Sequence, residues 1–432
     1  MATSGSRRGH RDVSRTAHRK LRGLLRDAQA NVPMYRSLYE PLGLSPRELA
    51  DPEVLQRLPI LSKARLLATP PEERVNRRFD PRRLATETTT GSTGQPFSLY
   101  LDSRYRTLRN LRFLRGLLSA GFRPWQRLML LTDRHSGQYR RHNWHYLPVE
   151  QSTEYLARAY LRIRPEVLYG FATPLRLLVE RLLQSPHGFP KPRLVVSTAE
   201  MLDVATRRAL EGGFDCPVAD FYGMTEMGLV AWQRSAGDGY IMFSNAVLTE
   251  LIPDDACRGC YRMIMTNLDL RASPVIRFDS GDLAYARPVD GVLEITAFEG
   301  RAIDTVACRD GSELSPYRIT DALRDVPGVS RFKVTQRGLT RFDVHLEAVP
   351  PARGRAEERV RAIFDALLGP GLELTFRFSD RLIPDGTRKF RPVESYVGRV
   401  PAEPLPIESL PIEPLSVEPL SIEPLSIESQ IE

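Results

Sequence analysis

The chain has 432 residues and a formal net charge of +8, a length that holds two or three domains with ample core-forming material. It has no run approaching the roughly 20 apolar residues of a membrane helix and no apolar signal core at its start, so a cytoplasmic protein with no membrane partner is expected. Four cysteines in so long a chain do not suggest a disulfide framework, in keeping with a reducing compartment.

The charge is uneven. Residues 402–432 carry seven Glu and no Lys or Arg, which leaves +15 on residues 1–401. Such an excess serves anionic small substrates such as ATP and coenzyme A as well as it serves nucleic acid. Of the 61 basic residues only Lys20, Lys63, Lys191, Lys333 and Lys389 are lysines, so a Lys in a particular place carries information.

In chain order, Arg7-Arg8-Gly9-His10-Arg11 reads as a solvated, disordered lead. Residues 13–29 read as a basic amphipathic helix with Leu21, Leu24 and Leu25 on one side. After Val32-Pro33-Met34-Tyr35 comes a turn-rich segment, and Ser62 is placed to cap a short helix through Leu67. Strands are expected at Leu84–Thr86 and Phe97–Leu101. Between them lies Thr88-Thr89-Thr90-Gly91-Ser92-Thr93-Gly94-Gln95-Pro96, with five hydroxyls and two glycines in nine residues. Such a loop can wrap phosphate oxygens with N–H and hydroxyl groups, or it can be a polar hairpin turn. No Lys-Ser or Lys-Thr follows the second glycine, so it is not a Walker loop.

Residues 103–118 form the clearest helix. Leu108, Leu111, Leu114, Leu117 and Leu118 make an apolar stripe, and the arginines at 104, 106, 109, 112 and 115 read as a solvated face. Arg127–Thr132 is a buried-type strand. His135, His142 and His145 follow within eleven residues, but no carboxylates or thiols flank them at ligand spacing, so a loop lining a pocket is the reading rather than a metal site. Strands at Pro165–Phe171, Leu194–Ser197 and Val218–Tyr222 alternate with helices at Thr173–Leu183 and Asp203–Gly213. That alternation specifies an α/β domain with a largely parallel sheet.

From Tyr240 to Phe298 short strands make a β-rich subdomain: Ile241–Phe243, Ala246–Ile252, Cys260–Thr266, Pro274–Asp279 and Gly291–Phe298. Beyond Gly300-Arg301 a small α+β unit runs to about Val397. It has helices at Tyr317–Asp325 and Ala356–Leu368, and strands at Arg331–Gln336, Phe342–Glu347 and Glu373–Phe378. The expected division is a large domain over 1–299, a small lid domain over 300–397, and a tail over 398–432. The tail repeats Pro-Leu-Ser-Ile-Glu with variants, and proline in nearly every repeat with even Glu spacing specifies disorder.

Three stretches carry chemistry. Phe221-Tyr222-Gly223-Met224-Thr225-Glu226 ends a strand with an aromatic for a base, a hydroxyl for a phosphate and a carboxylate for Mg²⁺. The plainer alternative is a strand-to-helix connection capped by Thr225. Ser197-Thr198-Ala199-Glu200 ends the preceding strand in a similar style. In Arg277-Phe278-Asp279-Ser280-Gly281-Asp282 a carboxylate follows a glycine turn, suited to two ribose hydroxyls or to a turn that bonds its own backbone. Arg301 can clamp a ribose or phosphate, or pair with Asp304.

In this order and at these intervals, with Lys389 in Gly386-Thr387-Arg388-Lys389-Phe390-Arg391, the motifs resemble those of adenylate-forming ligases. The likeness is to the phenylacetate–CoA ligase family and its capsule-polysaccharide-type relatives, over about residues 20–397. The resemblance implies that Thr90, Gly91, Ser92, Thr93 and Gly94 hold the β- and γ-phosphates, and that Ala199, Glu200, Tyr222 and Gly223 frame the adenine. It implies Thr225 at the α-phosphate, Glu226 on Mg²⁺, and Asp282 and Arg301 on the ribose. Lys389 would reach the reacting carboxylate and α-phosphate, offsetting the charge that builds as one anion attacks another. Trp144, Tyr169 and Phe171 are candidates for an aromatic acid pocket.

The sequence departs from the family at Phe97, where many members carry Lys, and at Ile303, where many carry a hinge Asp. Cys257-Arg258-Gly259-Cys260 is a lone C-x-x-C, half a metal site at most. The expected activity is ATP-dependent conversion of a carboxylic acid to an acyl-adenylate, then transfer to CoA. An amine, a hydroxyl or a carrier-protein thiol is the alternative acceptor. A non-catalytic nucleotide-binding scaffold and a nucleic-acid binder are the rivals of other classes, and neither a nucleic-acid partner nor an assembly larger than a homodimer is expected.

Overall fold

The computed structural model describes residues 6–45, 48, 52–89, 97–133, 139–254, 259–289, 292–301, 306–314, 316–324, 326–379, 382, 390 and 392–397. The loop at 90–96, Cys257, residues 302–305, Lys389 and the 398–432 repeat lie outside these residues. Among the described residues no helix is long and apolar enough to cross a membrane.

The first helix, α1 (Ser6–Asn31), starts seven residues before the expected one, so the basic opening is helical backbone from Ser6 onward. Its Leu21, Leu24 and Leu25 are buried as the periodicity requires. Then come α2 (Pro33–Tyr39), α3 (Lys63–Ala68) and α4 (Pro71–Arg74). Ser62 caps α3 as expected, its side chain accepting from Arg65 N at 3.1 Å. An antiparallel hairpin follows, β1 (Ala85–Thr89) and β2 (Phe97–Leu101), with Thr89 opposite Phe97.

Helix α5 (Ser103–Ala120) buries Tyr105, Arg112, Gly116 and Leu117. Leu111 is 56% exposed and Leu118 38%, so the leucine stripe is not the buried face. Arg112 overturns its assignment to a solvated face. Its Nη2 bonds Asp269 Oδ2 at 3.0 Å, and its Nη1 donates to the carbonyls of Met227 at 2.8 Å and Leu229 at 3.2 Å. A guanidinium so fully paired can be buried where an unpaired one could not.

An eight-stranded sheet forms the centre. It contains β3 (Leu128–Thr132), β4 (Tyr139–Arg141), β5 (Trp144–Pro148), β6 (Val167–Phe171), β7 (Leu194–Thr198), β8 (Val218–Met224), β9 (Gly228–Gln233) and β10 (Ile241–Met242). Their spatial order is β10-β9-β8-β7-β6-β3-β5-β4. The five middle strands, β8 to β5, are parallel, and β4, β9 and β10 add antiparallel edges. Helices α6 (Thr153–Ile163), α7 (Ala172–Leu183) and α8 (Val204–Phe214) supply the crossovers. The sheet has a core on each face, one with the crossover helices and one beneath Leu117 and Phe122.

Next is an antiparallel sheet of β11 (Val247–Pro253), β12 (Cys260–Asn267), β13 (Phe278–Val289) and β14 (Val292–Arg301). The expected strand at Pro274–Asp279 is corrected: β13 starts only at Phe278. Arg277 takes a left-handed φ of 49°, which breaks the extended run. Its side chain grips Glu250 at 2.9 and 3.0 Å and bonds the carbonyl of Leu58.

After the short β15 (Val306–Ala307) and β16 (Glu313–Leu314) comes α9 (Pro316–Arg324). The last sheet contains β17 (Val329–Gly338), β18 (Arg341–Ala348), β19 (Glu373–Ser379) and β20 (Val393–Ser395), with α10 (Arg353–Leu368) before β19. Its order is β19-β18-β17-β20, and it has its own core around Phe342, Val344, Val360 and Phe364. The architecture is the α/β body, β-rich subdomain and α+β unit expected from the sequence.

Arg112→Ala should destabilise the protein by about 3 kcal/mol, because it strips a buried carboxylate and two carbonyls of their donor. Urea denaturation measures this, and a loss under about 1 kcal/mol would place the guanidinium in contact with water.

Candidate active site

The parallel strands β6, β7 and β8 end side by side, with Phe171 opposite Thr198 and Thr198 opposite Phe221. In a sheet of this kind the crevice beyond the carboxyl ends is where ligands bind. Thr198 Oγ1 donates to the Phe221 carbonyl at 3.1 Å, locking two strand ends together. The next residue, Ala199, has φ 65°. A left-handed alanine costs on the order of 1–3 kcal/mol and persists only where its surroundings impose it. Here it turns the chain sharply off β7 and presents Glu200.

The Glu200 carboxylate sits at the start of α7. It accepts from Thr173 N at 2.7 Å and Thr173 Oγ1 at 3.1 Å, where a helix N-terminus favours negative charge. It also accepts from Phe390 N at 2.8 Å, which brings the residue after Lys389 to the strand ends.

On β8 the Tyr222 ring stacks on Phe298, centroids 3.8 Å apart and planes 21° apart. Its hydroxyl donates to Asp282 Oδ2 at 2.6 Å. Asp282 in turn is the register partner of Arg301 across β13 and β14. Tyr222 and Asp282, 60 residues apart in the chain, therefore meet, and the backbone of Arg301 lies beside Asp282. The local turn that delivers Asp282 is built from Ser280 and Gly281: Gly281 N bonds Asp279 Oδ1 at 3.0 Å and Asp282 N bonds Ser280 Oγ at 3.1 Å. Gly281 has φ 69°, a conformation that favours glycine.

Thr225 and Glu226 lie in the tight turn between β8 and the antiparallel β9, not in a strand-to-helix connection. A Cβ on Gly223 would meet the Gly228 carbonyl oxygen at 2.7 Å, so glycine is what lets the two strands close. The turn is held from beneath. Asn267 Nδ2 donates to the Glu226 carbonyl at 2.9 Å, and Arg112 takes the carbonyls of Met227 and Leu229.

Among the described residues no cluster of three or more His, Cys, Asp or Glu could hold a metal. His142 is exposed and His145 half-buried, and Cys260 is disulfide-bonded. A single carboxylate such as Glu226, on a turn whose backbone is tied to Asn267 and Arg112, suits a Mg²⁺ ion that would take its remaining ligands from phosphates and water.

The aromatic candidates do not converge on one wall. Trp144 and Tyr169 pack around Phe113, at 6.3 and 5.2 Å, in the core on the α5 side. Phe171 belongs to the core beneath the crossover helices. Thr90, Gly91, Ser92, Thr93, Gly94 and Lys389 lie outside the described residues; the strands flanking the loop pair as the hairpin reading requires. Phe298, Thr173 and Asn267 had no signal in the sequence beyond proximity to a motif, Phe298 standing two residues before Gly300-Arg301.

No family model matches the chain. It is 25% identical over 366 residues to a phenylacetate–coenzyme A ligase of Pseudomonas putida, covering 76% of this chain and 77% of the relative. Among solved structures it resembles a 2-hydroxyisobutyryl-CoA ligase in the postadenylation state, at TM-score 0.71 and 18% identity, over 87% of this chain and 88% of that one. Against the same ligase in the thioesterification state the TM-score is 0.57, at 18% identity over 88% and 89% of the two chains. An anthranilate CoA ligase in complex with anthranoyl-AMP matches at 0.51 and 15% identity, over 71% and 65% of the two chains. The fold is that of the adenylate-forming CoA ligases. Within that class the chain is similar to phenylacetate–CoA ligase, as its motifs indicate.

Asp220, two residues before Tyr222, accepts from the Tyr240 hydroxyl, and burial pushes its carboxyl up to about 6. A carboxyl with a folded pKa above its unfolded one favours the folded state when protonated, so its contribution falls as pH rises from about 4 through 6. The stability of wild type relative to Asp220→Asn should therefore improve between pH 7.5 and 5. Parallel melting-temperature profiles for the two proteins would contradict this.

Proposed function

We propose that this chain is an ATP-dependent acid–CoA ligase acting in two half-reactions. The observation that carries the reading is the hydrogen bond between Tyr222, at the carboxyl end of β8, and Asp282, whose neighbour across the β13–β14 ladder is Arg301. Tyr222, backed on one face by Phe298, offers its other face to adenine. Asp282, with one oxygen taken by the Tyr222 hydroxyl, and Arg301 hold the ribose. Ala199, Glu200 and Gly223 shape the adenine side.

The hydroxyl-glycine loop at 90–94 holds the β- and γ-phosphates, and Thr225 the α-phosphate. Glu226 holds Mg²⁺, whose charge neutralises phosphate oxygens. The substrate carboxylate attacks the α-phosphorus and pyrophosphate leaves. Lys389 stabilises the charge that gathers there. The CoA thiol then attacks the acyl carbon, and AMP leaves. In this reading residues 1–299 supply most of the nucleotide contacts, and 300–397, which carry Arg301 and Lys389, form the mobile lid that serves each step in turn. The phenylacetate named for the sequence relative favours an aromatic acid.

The test is a panel of acids read by pyrophosphate release, with and without CoA. The proposal requires release with at least one acid and a CoA thioester as product. Release without a thioester would favour an amine, hydroxyl or carrier thiol as acceptor, and no release with any acid would leave a scaffold. Asp282→Ala should weaken ATP binding by about 2–3 kcal/mol, the scale of lost charge-assisted hydrogen bonds. Calorimetry on the folded variant decides. Lys389→Ala should lower adenylate formation by about 10²-fold or more while ATP affinity changes far less.

A further inference from the structure

We propose that one face of α7 is the ledge on which the C-terminal sheet docks for adenylation, and that Glu180 and Arg331 are the positioning pair of that dock. The inference rests on the two-step ligase reading above. Thr173, Arg176 and Glu180 are spaced three and four apart, which puts them on one side of the helix. Each is engaged across the gap or by what crosses it. Thr173 shares the Glu200 carboxylate with Phe390 N. Arg176 bonds Glu180 at 3.0 Å and points its Nη2 at the Ser330 carbonyl, 3.5 Å away. Glu180 receives Arg331 Nη2 on both oxygens at 2.5 Å.

Behind this contact the network continues into the small sheet. Arg331 Nη1 bonds Glu347 Oε1 at 3.0 Å, and Glu347 also accepts from Ser330 Oγ at 2.8 Å and Leu382 N at 2.7 Å. Burial pushes the Glu347 carboxyl up, but these donors outweigh it and hold it below the usual range. The residues on either side of 383–389 are thus both tied. Leu382 is bonded to Glu347 on β18, and Phe390 to Glu200 beside α7.

The charges suit a contact that forms and breaks. Glu180 has 38% of its side chain exposed and keeps Arg176 when the sheet leaves. Arg331 keeps Glu347. Undocking therefore strands no buried charge, and avoids the heavy penalty that opposes separation of a fully buried pair. The pair selects an orientation without fixing it.

The test separates the half-reactions. With Glu180→Arg, which sets like charge against Arg331, pyrophosphate release should fall about tenfold. Transfer to CoA from a supplied acyl-adenylate should keep its wild-type rate, and Glu180→Gln should lose much less. Parallel losses in both steps, or no loss in either, would overturn the ledge. Hydrogen exchange reads docking without turnover. Glu180→Arg should speed exchange at Phe390 and around Arg331 while leaving β12 unchanged, and unaltered exchange there would also overturn it. If wild type activates no acid but exchange responds as stated, the dock stands and the ligase reading falls.

Discussion

One buried carboxylate, Asp269, sets the geometry on which the rest of the large body depends. It holds Lys20 of α1 at 2.6 Å and Arg112 of α5 at 3.0 Å. Arg112 passes the constraint on to the carbonyls of Met227 and Leu229, and so to the turn bearing Thr225 and Glu226. Asn267, two residues before Asp269, takes the Glu226 carbonyl and the Tyr105 hydroxyl. A first helix, a central helix and the acidic turn are joined through charge-assisted bonds in a region with little water. There each missing partner would cost several kcal/mol.

Around this fixed point the site is assembled from strand ends. Parallel strands in register bring Thr198, Phe171 and Phe221 level, and Ala199 spends backbone strain to turn Glu200 toward α7. The β-rich subdomain adds Asp282 and Arg301 as neighbours in one antiparallel ladder. The ladder is pinned to the N-terminal segment by Arg277, whose guanidinium bridges Glu250 and the carbonyl of Leu58. The two substructures meet where the Tyr222 hydroxyl reaches the Asp282 carboxylate. Binding residues carried by strands are held more firmly than residues on loops.

Much of this was legible. Apolar runs placed β3, β6, β7 and β8 within a few residues, because burial on both faces of a sheet writes a continuous apolar run into the chain. The parallel β5, whose Trp144, His145 and Tyr146 are only half-buried, reads as a loop, and α6 is missing from the expected helices. Ser62, Asp102 and Asp203 cap helices through their own side chains, a signal that is local and survives any tertiary arrangement. The burial of long polar side chains was not legible in the sequence. The arginines of α5 looked alike in sequence, yet Arg112 is buried and Arg109 pairs with Glu87 while Arg115 stays exposed. Which of them is inside depends on where a carboxylate 157 residues away comes to rest.

The sequence by itself determined the order of motifs, the fold class and the residue types available for nucleotide chemistry. These follow from local propensity, periodicity and spacing along the chain. Only the tertiary structure decided that Tyr222 leans on Phe298 and Asp282, that the Glu226 turn is a hairpin held from below, and that Trp144, Tyr169 and Phe171 do not share one wall. It alone decided that α7 faces Arg331. The physical reason is register. A bulge between Arg262 and Ile264 or a left-handed Arg277 shifts which side chains meet across strands, and no one-dimensional pattern encodes pairings between residues so far apart in the chain.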